Sequence, residues 1–527
     1  MANKRSEKRG NLSYTRNNWK QASQEEIEDA LKRFLEKRGS IKHLISQYDN
    51  PNLNYDSQVD KEWRLVCEIA GFKIQGKMRT DFAASLLGLV REPLFFFGAL
   101  SSILFFACQL LLARNLAPKG FGLFSTAFVS ITILAPLAVF GIQHVWLKKF
   151  AVEKEKGKRW VMPSLRLVVL NFSICLFLLF CWAFFGPHES NFKWILIGLS
   201  PLILGHISME LVSARFQAEE KYFAMAVWQG LPNTLRFFAV LFLIYFSIGE
   251  LNIYSLVFFY SFIALVFSLV SLKFFKDLVK GSSFYRGNKE VILPKVSPVL
   301  NSLRSIKVLK EAWPFGLAAI FYLIYLQSDL IFLKYMVNNE SAGIYSASYT
   351  FLLAIYLFPG IIYQKFLLPK FHRWSNFNQE RFLEVYQAGN GLMLMLGIIF
   401  LVFLFPSVSY LVPLFFGEAY LQAIPLIKIL IFCVPIRFLS CSVEMPLFTR
   451  DYMPTKTFIM GLVAFFNIAL NIYLIPIYSF YGACISTLIS EILLLLFYAL
   501  AVKRDVFGKD TFRDWNRGFT ISFWKDL

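Results

Sequence analysis

Charged residues are scarce in this chain, and the common motifs of soluble enzymes are absent from the sequence. Only 17% of the 527 residues are charged and 56% are hydrophobic, whereas soluble domains have about 25% charged residues. The seven cysteines form no C-x-x-C pair, which argues against a disulfide framework or a zinc site. The five histidines form no H-E-x-x-H motif, and no G-x-x-x-x-G-K-[ST] loop is present. These absences argue against a soluble enzyme, a metalloenzyme and an ATP-driven pump, and no cofactor is expected.

Separate hydrophobic stretches of membrane-spanning length follow residue 90. Each holds roughly 20 residues, mostly Phe, Leu, Ile, Val and Ala, which is enough for a helix to cross a hydrocarbon core of about 30 Å. The chain is therefore predicted to be an all-α polytopic membrane protein with about twelve transmembrane helices. The predicted spans are residues 93–113, 121–142, 162–186, 192–213, 224–247, 252–275, 312–336, 343–368, 390–414, 420–445, 456–476 and 480–502.

A polar extension, residues 1–90, precedes the spans. Ser23 and Glu26 have the spacing of a capping box, and apolar residues at helical spacing predict a helix over residues 25–37. A second short helix is predicted over residues 58–70. The apolar stripe that follows is either an amphipathic lead-in on the membrane surface or the start of the first span. The basic N-terminus has no short apolar core, so a cleaved signal peptide is not predicted.

Lysine and arginine residues collect on one side of the predicted spans. Cytoplasmic loops of polytopic membrane proteins are enriched in these residues, so the net charge of +19 does not indicate a nucleic-acid partner. An even number of spans then places both termini of a multi-pass membrane protein in the cytoplasm. The basic side carries Lys148, Lys149, Lys154, Lys156, Lys158, Arg159, the loop 276–310, Lys503 and Arg504, and the other side has little beyond Arg114, Lys119 and Lys193.

Two similar segments follow the first and the seventh predicted spans. Residues 122–128 read GLFSTAF, and residues 343–349 read GIYSASY. Their matching positions predict a duplicated chain with six helices in each half and parallel repeats, related by an axis along the membrane normal. The predicted organisation is a cytoplasmic extension (1–90), a first lobe (91–275), a basic linker (276–311), a second lobe (312–502) and a cytoplasmic tail (503–527).

Ionisable residues inside the predicted spans are candidates for a transport site. A charge near the bilayer centre costs about 2.5–3.5 kcal/mol on insertion scales, so it normally faces the bundle interior or a hydrated cavity. The two deep arginines, Arg236 and Arg437, could bind an anionic ligand, because guanidinium pairs with phosphate in a bidentate manner. The candidate cavity residues are Arg236, Asp329, Arg437, Tyr322, Tyr325, Asn233 and Gln229, and the candidates for ion coupling are Asp329, Glu491 and Glu210.

Polar residues inside spans also have a simpler interpretation as interhelical hydrogen bonds and salt bridges that hold the bundle together. We favour this interpretation for His206 and Glu210, which are one turn apart in the fourth span. We also favour it for Glu444 and for the pair Asn467 and Asn471. For the two deep arginines and the aspartate of the seventh span, we favour a role in a cavity.

At the two repeated corners the sequence resembles a known family. The segments LLARNLAPKGFGLFSTAF (111–128) and SDLIFLKYMVNNESAGIYSASYTF (328–351) are similar to the first and seventh helix corners of polysaccharide-unit flippases of the O-antigen type. The segment FGEAYLQAIPLIKIL (416–430) and the two spans within 456–502 resemble the second half of that family. These flippases form the oligosaccharide branch of the multidrug/oligosaccharidyl-lipid/polysaccharide exporter superfamily. The resemblance covers about residues 93–502.

The resemblance implies a fold like that of the multidrug exporters in this superfamily, with two lobes around a central cavity. The first, second, seventh and eighth helices would line most of the cavity, which would place Asp329 there. It implies translocation of an undecaprenyl-diphosphate-linked oligosaccharide from the cytoplasmic to the periplasmic leaflet. We expect alternating access by rocking of the lobes, with the polyprenyl tail kept in the lipid bilayer. Glycosyltransferases or a polymerase of glycan assembly are further candidate partners on the basic side.

Two other functions remain as alternatives. A cation-coupled antiporter of small drugs would share the fold, but its site should be dominated by carboxylates, whereas the embedded charges here are mixed. A membrane polymerase or ligase of glycan assembly is the other alternative. Such enzymes usually need sizeable loops on the outer side, and the predicted outer loops are short. We therefore predict a carrier rather than an enzyme.

Overall fold

The computed structural model describes residues 93–519, apart from 248–250, 281–304, 450–451 and several positions between 361 and 377. Every regular element in this part of the chain is helical. The helices predicted over residues 25–37 and 58–70, and the apolar stripe that follows them, lie outside the described residues.

The helices of the first half include the first six predicted crossings. The described helices are α1 (Pro93–Val139), α2 (Ile142–Glu153), α3 (Val161–Phe185), α4 (Ser190–Gly198), α5 (Pro201–Ala218), α6 (Tyr222–Phe246) and α7 (Ile253–Lys280). Those of the second half are α8 (Ser305–Met336), α9 (Asn339–Gly360), α10 (Gln379–Phe416), α11 (Ala423–Leu430), α12 (Cys433–Val443), α13 (Met453–Tyr478) and α14 (Phe480–Val502).

Eleven helices in the described part of the chain are long and apolar enough to cross a membrane. The first of them is the segment Leu100–Phe150 of 51 residues, which includes most of α1 and α2 and is interrupted between these helices at Phe140 and Gly141. A continuous helix of 51 residues would be about 75 Å long, more than twice the hydrocarbon core. A non-helical residue, Ala117 (φ 53°, ψ 169°), kinks α1 just before Pro118. The two parts on either side of the kink are each long enough to span. This confirms the prediction of about twelve crossings, but a kink replaces the loop that was predicted between the first two.

The fourth crossing of each half is broken in the middle. In the first half, α4 ends at Gly198 and α5 begins at Pro201. In the second half, α11 ends at Leu430 and α12 begins at Cys433, two residues before Pro435. Proline cannot donate the backbone hydrogen bond that a continuous helix needs. A break at the same place in both halves agrees with a duplicated chain.

Helices α1 and α9 cross at the two glycines that begin the repeated segments. A Cβ atom on Gly122 would collide with the carbonyl oxygen of Asn339, and one on Gly343 would collide with that of Pro118. Only glycine therefore allows the two backbones to approach so closely. We call the lysine-rich face of the molecule the basic face, and the face at the other ends of the spanning helices the opposite face. The crossing of α1 and α9 lies near the opposite face. Equivalent residues of the two repeats thus meet where the lobes meet.

Several boundaries differ from the predicted ones. Helix α10 begins at Gln379 rather than at residue 390. Helix α7 continues to Lys280 and α8 begins at Ser305, so both extend into the predicted linker. Amphipathic ends of this kind continue a helix beyond its apolar window, and a count of apolar residues cannot detect them.

Candidate functional site

A cavity of about 200 Å³ lies between the two lobes, in the half of the molecule nearer the basic face. The first lobe contributes the polar side chains of Gln143, His206 and Glu210, and the second lobe contributes Tyr322. Glu210 interacts electrostatically with both His144 and His206. The Gln143 carbonyl oxygen is buried and has no hydrogen-bond partner among the described residues. The cavity therefore offers a carboxylate, an imidazole and an amide to a polar ligand.

Contacts between the lobes close the space between the cavity and the basic face. Lys149 Nζ lies 2.8 Å from one oxygen of Glu311, and Lys148 Nζ lies 3.6 Å from the other. One turn further in, the His144 ring stacks on Phe315 with the centroids 5.0 Å apart. These contacts join α2 of the first lobe to α8 of the second.

The lobes also touch at the opposite face. Tyr420 donates a hydrogen bond to the Ala113 carbonyl (3.0 Å). In the loop after α3, His188 Nε2 lies 2.6 Å from the Trp182 carbonyl oxygen, and its Nδ1 lies 2.8 Å from the hydroxyl of Tyr335 in α8. Burial lowers the pKa of His188, and the nearby Lys334 ammonium lowers it further, although the hydrogen bond to Trp182 opposes both effects. The neutral ring therefore donates from Nε2 and accepts from Tyr335.

Asp329 lies at the centre of a polar cluster inside the second lobe, where its side chain is completely buried (0% exposed). One carboxylate oxygen accepts hydrogen bonds from Tyr345 (2.6 Å) and Thr487 (2.6 Å). The other accepts one from the Asn471 amide. The described residues contain no lysine or arginine within ion-pair distance of Asp329. A buried carboxylate without a cation is costly, so this carboxylate must be satisfied by its hydrogen bonds, carry a proton or bind a cation.

Asn467 extends the Asp329 cluster by one turn. Its side-chain oxygen accepts hydrogen bonds from Ser328 (3.0 Å) and Asn471 (3.1 Å). The side-chain oxygen of Asn471 is buried and has no hydrogen-bond partner among the described residues. Carboxylate, amide and hydroxyl oxygens are the ligands that hard cations prefer. The cluster joins α8, α9, α13 and α14, and its single carboxylate suits a monovalent cation.

Arg437 and Glu491 form a second charged group in the same lobe. Arg437 Nη1 lies 3.9 Å from a carboxylate oxygen of Glu491, which is completely buried. Arg437 Nη2 donates a hydrogen bond to the Tyr322 hydroxyl (3.1 Å). Tyr325 and Tyr356 lie beside Glu491, but their hydroxyls are outside hydrogen-bonding geometry in this structure. Glu491 therefore balances much of the charge of Arg437.

Arg236 has a different environment from Arg437, inside the first lobe. Its Nη1 donates a hydrogen bond to the Asn233 side chain (3.4 Å), and its guanidinium lies 5.3 Å from the Tyr260 ring centroid. Asn233 in turn donates to Ser101 on α1 (3.0 Å). Among the described residues, Arg236 makes no ion pair with a carboxylate, and its Nε has no hydrogen-bond partner. This guanidinium remains available to an anion.

The predicted site residues thus fall into separate groups. Arg236 and Asn233 meet in the first lobe, whereas Gln229 is exposed on α6. Tyr322 links the Arg437–Glu491 pair to the cavity, and Glu210 lines the cavity from the other lobe. Of the residues assigned to packing, Glu444 does form an ion pair, with Lys456 (3.0 Å).

Sequence reasoning missed several partners in these groups. It placed Asn467 and Asn471 in helix packing, and it did not connect Thr487 or Tyr345 with Asp329. The helical spacing of Asn467 and Asn471, both facing the same neighbour, was the only available signal. Helical spacing cannot show which helix an element packs against, so these contacts appear only in the folded chain.

Comparisons with known proteins agree with this architecture. Residues 94–375, more than half of the chain, match the family described as "Polysaccharide biosynthesis protein". No curated protein sequence matches the chain. The structure is similar to that of the lipid II flippase MurJ in an inward closed conformation (TM-score 0.56, 14% identity, covering 78% of this chain and 87% of MurJ).

Multidrug transporters share the same fold. An inward-facing MATE family transporter has a TM-score of 0.55 at 12% identity, with 77% of this chain and 96% of the transporter covered. An outward-facing MATE transporter has a TM-score of 0.51 at 12% identity, with 81% and 97% covered. At such identities the likeness concerns the fold alone. The family match over more than half of the chain shows that the protein belongs to the family described as "Polysaccharide biosynthesis protein".

Proposed function

We propose that this protein flips a polyprenyl-diphosphate-linked oligosaccharide from the cytoplasmic to the outer leaflet of the bacterial inner membrane. The observation that carries the proposal is the cavity between the lobes, which has a mostly apolar wall and a few polar side chains. Its carboxylate, imidazole and amide are groups that bind sugar hydroxyls, and the Tyr322 ring beside them offers an apolar surface. Membership of a polysaccharide biosynthesis family and the likeness to a lipid II flippase support this substrate class.

Arg236 is the proposed contact for the diphosphate inside the membrane. Its guanidinium has no carboxylate partner among the described residues, and a planar guanidinium matches the geometry of phosphate oxygens. Arg437 is less suited to this role because Glu491 already faces it at 3.9 Å. This distinction between the two arginines favours the first lobe as the part of the protein that holds the charged headgroup.

The Asp329 cluster is the proposed site of the coupling cation. Its single carboxylate and its neutral oxygens fit a monovalent cation such as sodium. This site lies inside the second lobe, away from the cavity proposed for the glycan. Cation binding there would draw together α8, α9, α13 and α14, and so change the shape of the lobe that rocks. Transport then needs no covalent chemistry. The lysine-rich loops support an orientation with both termini in the cytoplasm.

Deletion of the gene in its host tests the proposed function. Extracted lipids are analysed by mass spectrometry for polyprenyl-diphosphate oligosaccharide, and an impermeant sugar-oxidising reagent reports its leaflet. We expect complete units trapped on the cytoplasmic leaflet and loss of surface glycan. Complementation with Arg236→Gln should restore about one tenth of the export or less, at an unchanged protein level, since a charged hydrogen bond contributes about 1.5–3 kcal/mol.

Arg166→Gln is the matched control, because Arg166 is an exposed arginine on α3 outside the proposed site. It should complement fully. Normal lipid pools together with new sensitivity to cationic dyes would instead indicate a drug antiporter. Units that reach the outer leaflet but remain unpolymerised would indicate a polymerase. Equal export by the two arginine variants would remove Arg236 from the mechanism.

A further inference from the structure

One carboxylate of the second lobe bridges two adjacent lysines of the first lobe at the basic face. Glu311 on α8 faces Lys149 with one oxygen (2.8 Å) and Lys148 with the other (3.6 Å). The nearby Glu153 accepts hydrogen bonds from Arg159 and Trp160, each at 3.0 Å, and its electrostatic interaction with Lys149 is weaker. Glu311 is therefore the carboxylate that the two lysines share.

This ion pair is the outermost layer of the contact that closes the cavity. His144 lies one turn before Lys148 on α2, and Phe315 lies one turn after Glu311 on α8, and the two rings stack. Beyond them, Gly141 packs against Gly316 so closely that no side chain fits between them. The cavity begins directly behind this layer, at Gly141. Separation of Glu311 from the lysines is thus the first step by which α2 and α8 can part.

The two lysines of this layer could bind an anion that carries more negative charge than one carboxylate. Two ammonium groups face a single negative charge, so the group keeps a net positive charge. The side chain of Lys148 is 62% exposed and that of Glu311 is 33% exposed, so a ligand at the membrane surface can reach both. A diphosphate diester carries two negative charges and more acceptor oxygens, and lysine is a common phosphate ligand.

We propose that Lys148 and Lys149 are the first binding site for the diphosphate of the lipid-linked substrate, and that Glu311 occupies this site while the substrate is absent. This inference rests on the proposed function. When the diphosphate displaces Glu311, the ion pair between the lobes is lost and the cavity opens toward the basic face. Opening of the cavity toward the basic face then requires the diphosphate headgroup of the substrate. A neutral or cationic compound cannot replace Glu311.

Binding of farnesyl diphosphate to the purified full-length protein in nanodiscs tests this exchange. The variants E311Q and K149Q both break the same ion pair, so a purely structural contact predicts the same effect for both. Our proposal predicts opposite effects. Measured by calorimetry, E311Q should bind farnesyl diphosphate about fivefold more tightly than wild type, and K149Q about fivefold more weakly, as expected for one half-exposed ion pair. Uncharged farnesol should not distinguish the variants.

The control variant is E384Q, which breaks an ion pair between Glu384 and Arg381 within α10 (3.1 Å). It should bind like wild type. Opening is measured with a reporter cysteine, Ala319→Cys, at the cavity wall and an impermeant maleimide. The same protein without the added cysteine gives the background. In the E311Q variant, the reporter cysteine should react with the maleimide without ligand. In protein that keeps Glu311, it should react only after farnesyl diphosphate is added.

The outcomes separate this inference from the proposed function. If wild type binds farnesyl diphosphate but E311Q and K149Q both weaken binding or both leave it unchanged, the exchange is wrong and the flippase proposal stands. If cavity labelling of wild type does not rise with farnesyl diphosphate, the exchange is also wrong. If neither wild type nor E384Q binds farnesyl diphosphate, both proposals lose their support.

Discussion

Buried charged residues in this protein differ in the partners that they have. Among the residues that the structure describes, Asp329 has hydroxyl and amide donors but no cation, Glu491 faces Arg437, and Arg236 has no carboxylate. Each arrangement leaves a different capacity for binding, since a charge inside a membrane is tolerated only with compensation. The unpaired carboxylate is suited to a cation, the unpaired guanidinium is suited to an anion, and the paired groups are suited to neither.

The substitution Asp329→Asn tests the cation site at the residue scale. Asparagine keeps the size of the side chain and most of its hydrogen-bonding capacity, but removes the charge. Sodium at about a hundred times its dissociation constant should stabilise wild type by about 2.7 kcal/mol. For a chain of 527 residues, that is a rise in melting temperature of roughly 2–3 °C. We expect the variant to lose the rise, as measured by thermal unfolding in sodium against choline chloride.

Asp505→Asn is the control for Asp329→Asn, because Asp505 forms an exposed ion pair with Arg504 (2.6 Å) outside the cluster. It should keep the sodium-dependent rise. Removal of the Thr487 hydroxyl, as Thr487→Val, should weaken the rise without abolishing it, since one of several oxygens is lost. A full sodium effect in Asp329→Asn would show that the cation binds elsewhere.

The sequence identifies the embedded charges but not their partners. Asp329, Glu491 and Arg437 are all recognisable as ionisable residues in apolar spans. Their partners lie on other helices, and the periodicity of one helix carries no information about which neighbour it meets. For this reason the pairing of Glu491 with Arg437 came only from the structure. So did the convergence of Tyr345 and Thr487 on Asp329.

At the scale of elements, the close crossing of α1 and α9 is built on two glycines. A methyl group at Gly343 would collide with the Pro118 carbonyl, and overpacking of this kind typically costs about 1–3 kcal/mol. Gly343→Ala should therefore separate the helices and open the molecule at the opposite face. Spin labels at the exposed positions Lys119 and Glu340, beside the crossing, should move apart by several ångströms in pulsed electron resonance.

Gly360→Ala is the matched control on the same helix, because a Cβ at Gly360 would meet nothing within 4 Å. It should leave the distance between the labels unchanged. An unchanged distance in Gly343→Ala as well would mean that the backbones adjust locally and that the crossing does not limit opening.

The positions of the helices could be predicted because a membrane requires about 20 apolar residues for each crossing. The interruptions could not be predicted in the same way. Windows of apolar residues do not distinguish a continuous helix from one broken before Pro201 or near Pro435, nor a loop from a kink at Ala117. The repeated segments did indicate duplication. Their glycines turned out to be the contact between the repeats, which a sequence match alone does not reveal.

At the scale of the whole molecule, the two lobes touch near both faces around a cavity. Glu311 with its two lysines joins them at the basic face, and the glycine crossing and Tyr420 join them at the opposite face. A carrier in this state must break one set of contacts while keeping the other. The two sets differ in chemistry: both contain closely packed glycines, but the contact at the basic face also has an ion pair on its outer side. A charged substrate can act directly only on that ion pair.

The number of crossings decides the orientation of the whole chain. Eleven helices have membrane-spanning character, but Ala117 divides the first into two spans. With twelve crossings we expect Lys503 and the N-terminus to lie on the same side of the membrane, and the lysine-rich loops predict that this side is cytoplasmic. In intact cells, Lys119→Cys should react with an impermeant maleimide. Lys503→Cys and a cysteine at the N-terminus should react only after permeabilisation. If α1 instead crossed once, the N-terminal cysteine alone would change sides, and the first lobe would no longer match the second.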